Sequence, residues 1–102
     1  MKIMIKNVGE FPKTAVIRDS IKGSLEDIRN IIGGYLEFVP VNDTGLAMIC
    51  NEEGKLNGFP VNFYMSDEPI NGNVCFVNTY REDIIDITDE QIGYIHKVFQ
   101  KE

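Results

Sequence analysis

The stretch YLEFVPVNDTGLAMIC, residues 35–50, decides the fold class. Two apolar runs, Tyr35–Val41 and Leu46–Cys50, flank Asn42-Asp43-Thr44-Gly45. Asn and Asp hydrogen-bond their own backbone and Gly turns without steric cost, so the tetrad reverses the chain and the runs pair as a hairpin. Pro40 has no N–H to give a ladder; its strand ends there, bulges, or lies at a sheet edge.

Outward toward the N-terminus, Gly33-Gly34 stops a helix with the apolar stripe Leu25, Ile28, Ile31 and Ile32. Ser24 is its expected N-cap, with Asp27 three residues on. Before it, KIMIK (Lys2–Lys6) alternates with period two, NVGEFPK turns the chain, and TAVIR (Thr14–Arg18) returns as a hairpin partner. Toward the C-terminus, NVCFVNT (Asn73–Thr79) is the next strand, and REDIIDI (Arg81–Ile87) extends it or forms a short strand. Thr88 and Gln91 make a capping box for a last helix, Asp89–Lys101, with Ile92, Ile95 and Phe99 inward and Tyr94 and Val98 at the flank. The order strand, strand, helix, strand, strand, strand, helix contains no repeated βαβ unit. It predicts an α+β fold, a mostly antiparallel sheet of about five strands with two helices on one face. At 102 residues, a single domain over 1–102 is expected.

Sixteen acidic against ten basic residues give a net charge of -6, with Lys2, Lys6, Lys13, Arg18, Lys22 and Arg29 thinning into an acidic second half. That argues against binding duplex nucleic acid. Mimicry of DNA fails on charge as well. Duplex DNA carries about one charge per 1.7 Å, so a face ~30 Å long needs on the order of 18 uncompensated charges. Cys50 and Cys75 lie in apolar runs and read as small buried hydrophobes of a reducing compartment. A disulfide stays open only if their strands are neighbours. No run approaches the roughly 18 apolar residues of a membrane span, and MKIMIKNVGE alternates too soon for a signal peptide. A cytoplasmic protein without a membrane partner is expected.

Little chemistry is written in the chain. His96 sits mid-helix with no nucleophile or orienting carboxylate beside it in sequence. Neither cysteine lies at a glycine-rich turn or helix N-terminus, where a thiolate is favoured. Cysteine and histidine spacing matches no zinc site, and Glu52-Glu53, Asp67-Glu68 and Glu82-Asp83 with Asp86 match no calcium loop. No catalytic residue, metal or cofactor is expected. Lys22-Gly23-Ser24, at the start of the first helix, is a weak anion-site candidate beside ordinary capping.

The segment NEEGKLNGFPVN, Asn51–Asn62, holds more polar detail than a connection requires. Phe59 precedes Pro60 and is therefore extended. The segment is expected to be ordered and packed through Leu56, Phe59 and Val61, with Asn57 and Asn62 tying down backbone or meeting a ligand.

IIGGYLEFVPV (Ile31–Val41), LAMICNEEGKLNGFPVN (Leu46–Asn62), INGNVCFVN (Ile70–Asn78) and ITDEQI (Ile87–Ile92) together resemble the domain-of-unknown-function family 3846. The matching positions are Gly33, Gly34, Glu37, Asn51, Glu53, Gly54, Lys55, Pro60 and Asn62, with Val61 interposed before the last. The resemblance implies a small accessory protein of Gram-positive bacteria, their phages or mobile elements, and no activity.

A non-catalytic binding module for a protein partner or small polar ligand is the leading expectation. Its candidate residues are Glu37, Asn51, Glu53, Lys55, Asn57, Pro60 and Asn62. A nucleotide-binding version, by analogy of size and setting, requires one pocket holding Asn51, Lys55 and Asn62 near Lys22 or Arg81. A carboxylate-dependent hydrolase using Glu37 or Glu53 requires acids facing across a cleft. A structural interaction subunit requires an apolar patch on an exposed strand edge. Oligomeric state is not fixed by the sequence.

Overall fold

The structure, a computed structural model, describes residues 1–100. Among these residues eight strands and two helices follow in order: β1 (Lys2–Lys6), β2 (Lys13–Val16), α1 (Ile21–Ile32), β3 (Leu36–Pro40), β4 (Leu46–Asn51), β5 (Val61–Met65), β6 (Glu68–Asn71), β7 (Val74–Tyr80), β8 (Asp83–Ile85) and α2 (Asp89–Phe99). The fold is α+β, with antiparallel pairing throughout. The main sheet runs β2-β1-β7-β4-β3, with β8 against the far end of β7. The C-terminal bound expected for α2, Lys101, lies outside the described residues.

The helices do not share a face. Side chains alternate across a strand, and here both sets are buried. Met4, Leu46, Met48, Cys50, Val74 and Phe76 pack with Ile95 of α2 and with Phe63, Met65 and Ile70 of the β5–β6 hairpin. Ile3, Ala47, Ile49, Cys75 and Val77 pack with Ile28 and Ile32 of α1. All six residues of β4 are buried, because a continuous apolar run needs cover on both sides.

The β5–β6 hairpin was not expected from the sequence. Its turn, Ser66-Asp67, takes φ 50 and 69 without a glycine, so the Asn-Gly or Asp-Gly pair that marks a two-residue hairpin loop is missing. A bulge between Val61 and Phe63 leaves Asn62 as the extra residue.

The start of α1 also differs from expectation. Ser20, not Ser24, is the N-cap and accepts from the Gly23 N–H at 3.0 Å. Ser24 is buried in the first turn and its hydroxyl donates to the Ile21 carbonyl. Arg18 fixes the entry, bonding Asp27 through Nη2 at 2.8 Å and through its backbone N–H. At the other end Gly33 takes φ 85 and closes α1 by donating to the Arg29 carbonyl. The Thr88–Gln91 capping box of α2 forms as expected.

Cys50 and Cys75 sit on neighbouring strands, the condition under which a disulfide stayed open. Their side chains belong to opposite faces of the sheet, and both thiols are free.

Candidate functional site

Within residues 51–62 most amides serve the loop itself. Asn51 Oδ1 accepts from the Glu53 N–H at 2.7 Å, its carbonyl from Gly54, the Glu53 carbonyl from Asn57, and the Gly54 carbonyl from Phe59. Asn62 Nδ2 bridges the Lys6 and Gly72 carbonyls at 2.8 and 2.9 Å, and its Oδ1 accepts from Lys6 Nζ at 2.6 Å. Asn71 Nδ2 donates to the Phe59 carbonyl. Phe59 wedges against Gly72, where an added Cβ would come within 2.8 Å of its ring and φ is already 87. Leu56 is 85% exposed and Val61 lies at the surface, so of the three apolar residues only Phe59 anchors the segment.

Asn51, Lys55 and Asn62 do not converge on one pocket. Asn51 is buried where β4 ends, with Nδ2 unpartnered and turned toward Gly34. Asn62 borders a separate cavity with Lys6, Phe11 and Phe99. Glu53, Lys55 and Asn57 are exposed on the turn, as is Pro60 after it. Glu37 is exposed on β3, its Oε1 3.8 Å from the Cys50 sulfur.

Another concavity, of about 730 Å³, opens on the α1 face of the sheet. α1 packs chiefly over β7 and β4, and Phe38 at the outer edge of β3 is left 47% exposed. Ile21, Ser24 and Leu25 form one wall, Phe38 and Pro40 the other, and Ala47 the floor. Asp19, Arg81, Glu82 and Asp83 stand at the rim. The Arg18–Asp27 clamp holds the helical wall, and the same bond pulls the Asp27 carboxyl below its ordinary range. Of the anion candidates, Ser24 faces this groove with Arg81, while the Gly23 N–H is already taken by Ser20. Asp19 and Phe38 had no signal in the sequence as groove residues, and Asp83 was visible only as part of the Glu82-Asp83 acid pair, since no local pattern joins residues so far apart.

Reactive groups are few. Burial, reinforced by the Glu37 carboxylate, pushes the Cys50 thiol up to about 11, and burial alone pushes Cys75 up to about 12. Both are therefore poor thiolates at neutral pH. His96 is exposed and lies 5.4 Å from the Phe11 ring centre. No group of three or more His, Cys, Asp or Glu among the described residues is placed to hold a metal ion. No described helix is long and apolar enough to cross a membrane.

The family model described as Domain of unknown function (DUF3846) matches residues 1–100. No curated protein matches the chain, and no solved structure does.

Proposed function

The chain belongs to the DUF3846 family, and we propose that it is a non-catalytic binding module whose ligand is a protein partner held at the groove between α1 and β3. The groove itself carries the reading. It joins an apolar floor and walls to a polar rim, where Asp19 is paired with the Met1 ammonium and Glu82 and Asp83 stand beside Arg81, the pairing of apolar core and polar rim that protein recognition uses. Lys22, Asn51, Lys55 and Asn62 do not line the groove, so the nucleotide version loses its support. The hydrolase version loses ground too, because Glu37 and Glu53 do not line it either. A phage-type or mobile-element setting rests on the family resemblance, and a cytoplasmic one on the two apolar-run cysteines and the lack of a signal-peptide or membrane-span pattern in the sequence.

Chemical-shift mapping tests this reading. Titration with panels of short peptides and of nucleoside phosphates is expected to move the amides of Leu25, Phe38, Arg81 and Ile84 with peptides only. Shifts confined to nucleoside phosphates, or to residues away from the groove, would contradict it.

A further inference from the structure

We propose that the free edge of β3 is a docking strand for an extended segment of a protein partner carrying a basic residue opposite Glu37. This rests on the groove reading, since Phe38 and Pro40 belong to both groove and edge. The ladder to β4 fixes which groups point outward. Val41 N–H donates to the Leu46 carbonyl and Glu52 N–H to the Tyr35 carbonyl, both at 2.9 Å. In the register that pairs Leu36 with Asn51 and Pro40 with Ala47, the odd-numbered residues of β3 bond β4. The N–H and C=O groups of Leu36 and Phe38 therefore face away from the sheet. Strand β3 ends the sheet, and among the described residues only β4 pairs with it. Pro40 falls on the outward phase, so its missing N–H leaves the β4 ladder intact and closes the open template after Phe38.

The edge is sorted by face. Leu36 and Phe38 lie on the α1 side, opposite Asn51 and Ile49, with Phe38 47% exposed. Glu37 lies on the α2 side, opposite Cys50, with Glu52 diagonal to it across the ladder. Both glutamates are exposed, and neither joins an ion pair among the described residues. A strand added here meets a negative strip on one side and apolar surface on the other. The complement is a segment with Lys or Arg opposite Glu37 and apolar neighbours over Leu36 and Phe38.

The β3 strand of a second copy is a poor occupant. Antiparallel self-pairing centred on Phe38 sets each Leu36 against the other copy's Pro40, and a ladder donor is lost at both. Self-pairing centred on Glu37 sets two carboxylates directly opposite one another, an unfavourable like-charge pair. Glu37 and Pro40 thus guard the edge against pairing with β3 of a second copy in these registers while leaving it open to a basic partner.

Amide exchange by NMR tests the proposal, with two synthetic peptides as probes, one alternating Val with Lys and one alternating Val with Glu. The Lys peptide is expected to slow exchange at Leu36 and Phe38 by about tenfold or more, and the Glu peptide to leave it unchanged. Glu37→Lys should reverse that preference. No protection by the Lys peptide, or equal protection by both, overturns the inference. Shifts at Leu25 and Arg81 without protection of Leu36 and Phe38 would sink it while leaving the groove reading standing. Sedimentation supplies an independent arm: the natural chain should be monomeric, and the double variant Glu37→Thr, Pro40→Thr should self-associate. Self-association of the natural chain through β3, or a double variant that stays monomeric, contradicts the guarding roles.

Discussion

Replacing Asn62 by Ala should be among the most costly single changes outside the apolar core. Its amide links three segments: the end of β1, the bulge in β5, and Gly72 before β7. Truncation strips two donors from the Lys6 and Gly72 carbonyls and one acceptor from the ammonium of Lys6, a residue only 8% exposed. Two neutral hydrogen bonds contribute about 1 kcal/mol each, and one to a charged group about 1.5–3. Water reaching this half-buried bulge recovers part of that, so a loss of about 3 kcal/mol is expected. For a domain of this size that lowers Tm by about 12–24 °C. Urea melts measure it directly. Asn62→Asp gives the control, because it keeps an acceptor for Lys6 but faces two carbonyls with no donor; it too should destabilise. A loss below about 1 kcal/mol for Asn62→Ala would refute the bridging role and return Asn62 to the list of ligand contacts.

Phe59→Ala should cost about 2 kcal/mol, less than a fully buried ring, while Leu56→Ala should stay within about 0.5 kcal/mol; denaturant melts that reverse this order would contradict the single-anchor description. Gln91 is buried and donates to Asn78 Oδ1 at 2.9 Å while its Oε1 caps Thr88, so Gln91→Leu should cost about 2–4 kcal/mol through the groups it leaves unsatisfied, read by calorimetry. Both thiols should resist a disulfide reagent in the native protein near neutral pH and react once the chain is unfolded; rapid native reaction would refute their burial. The unfolded chain loses thiol protons first as pH rises, so the contribution of these groups is full below about pH 9. It then declines toward about 11 for Cys50 and about 12 for Cys75, and alkaline melts of Cys75→Ala should show a shallower decline than the natural chain.

The central hairpin, the Thr88 capping box and the Gly33 stop were readable because each depends on residues close in sequence. The two-sided core was readable in principle: Leu46–Cys50 is unbroken apolar sequence, which signals burial on both faces rather than one. The β5–β6 hairpin was hidden by a turn with neither Gly nor Asn at its positive-φ positions. Ser20 and Ser24 are equally good caps in isolation, and what separates them is the distant Arg18–Asp27 clamp. The candidate groove is assembled from α1, β3, β4 and the residues after β7, so only Arg81, Ser24 and the edge role of Pro40 could be anticipated.

The most direct test of an open docking edge is residue-resolved amide exchange of the free protein at low concentration. An edge open to a partner predicts alternation along β3, with Leu36 and Phe38 exchanging near unprotected rates and Glu37 and Val39 slowed by about a hundredfold or more. Equal protection at all four positions would mean the edge is already covered, and would contradict the account.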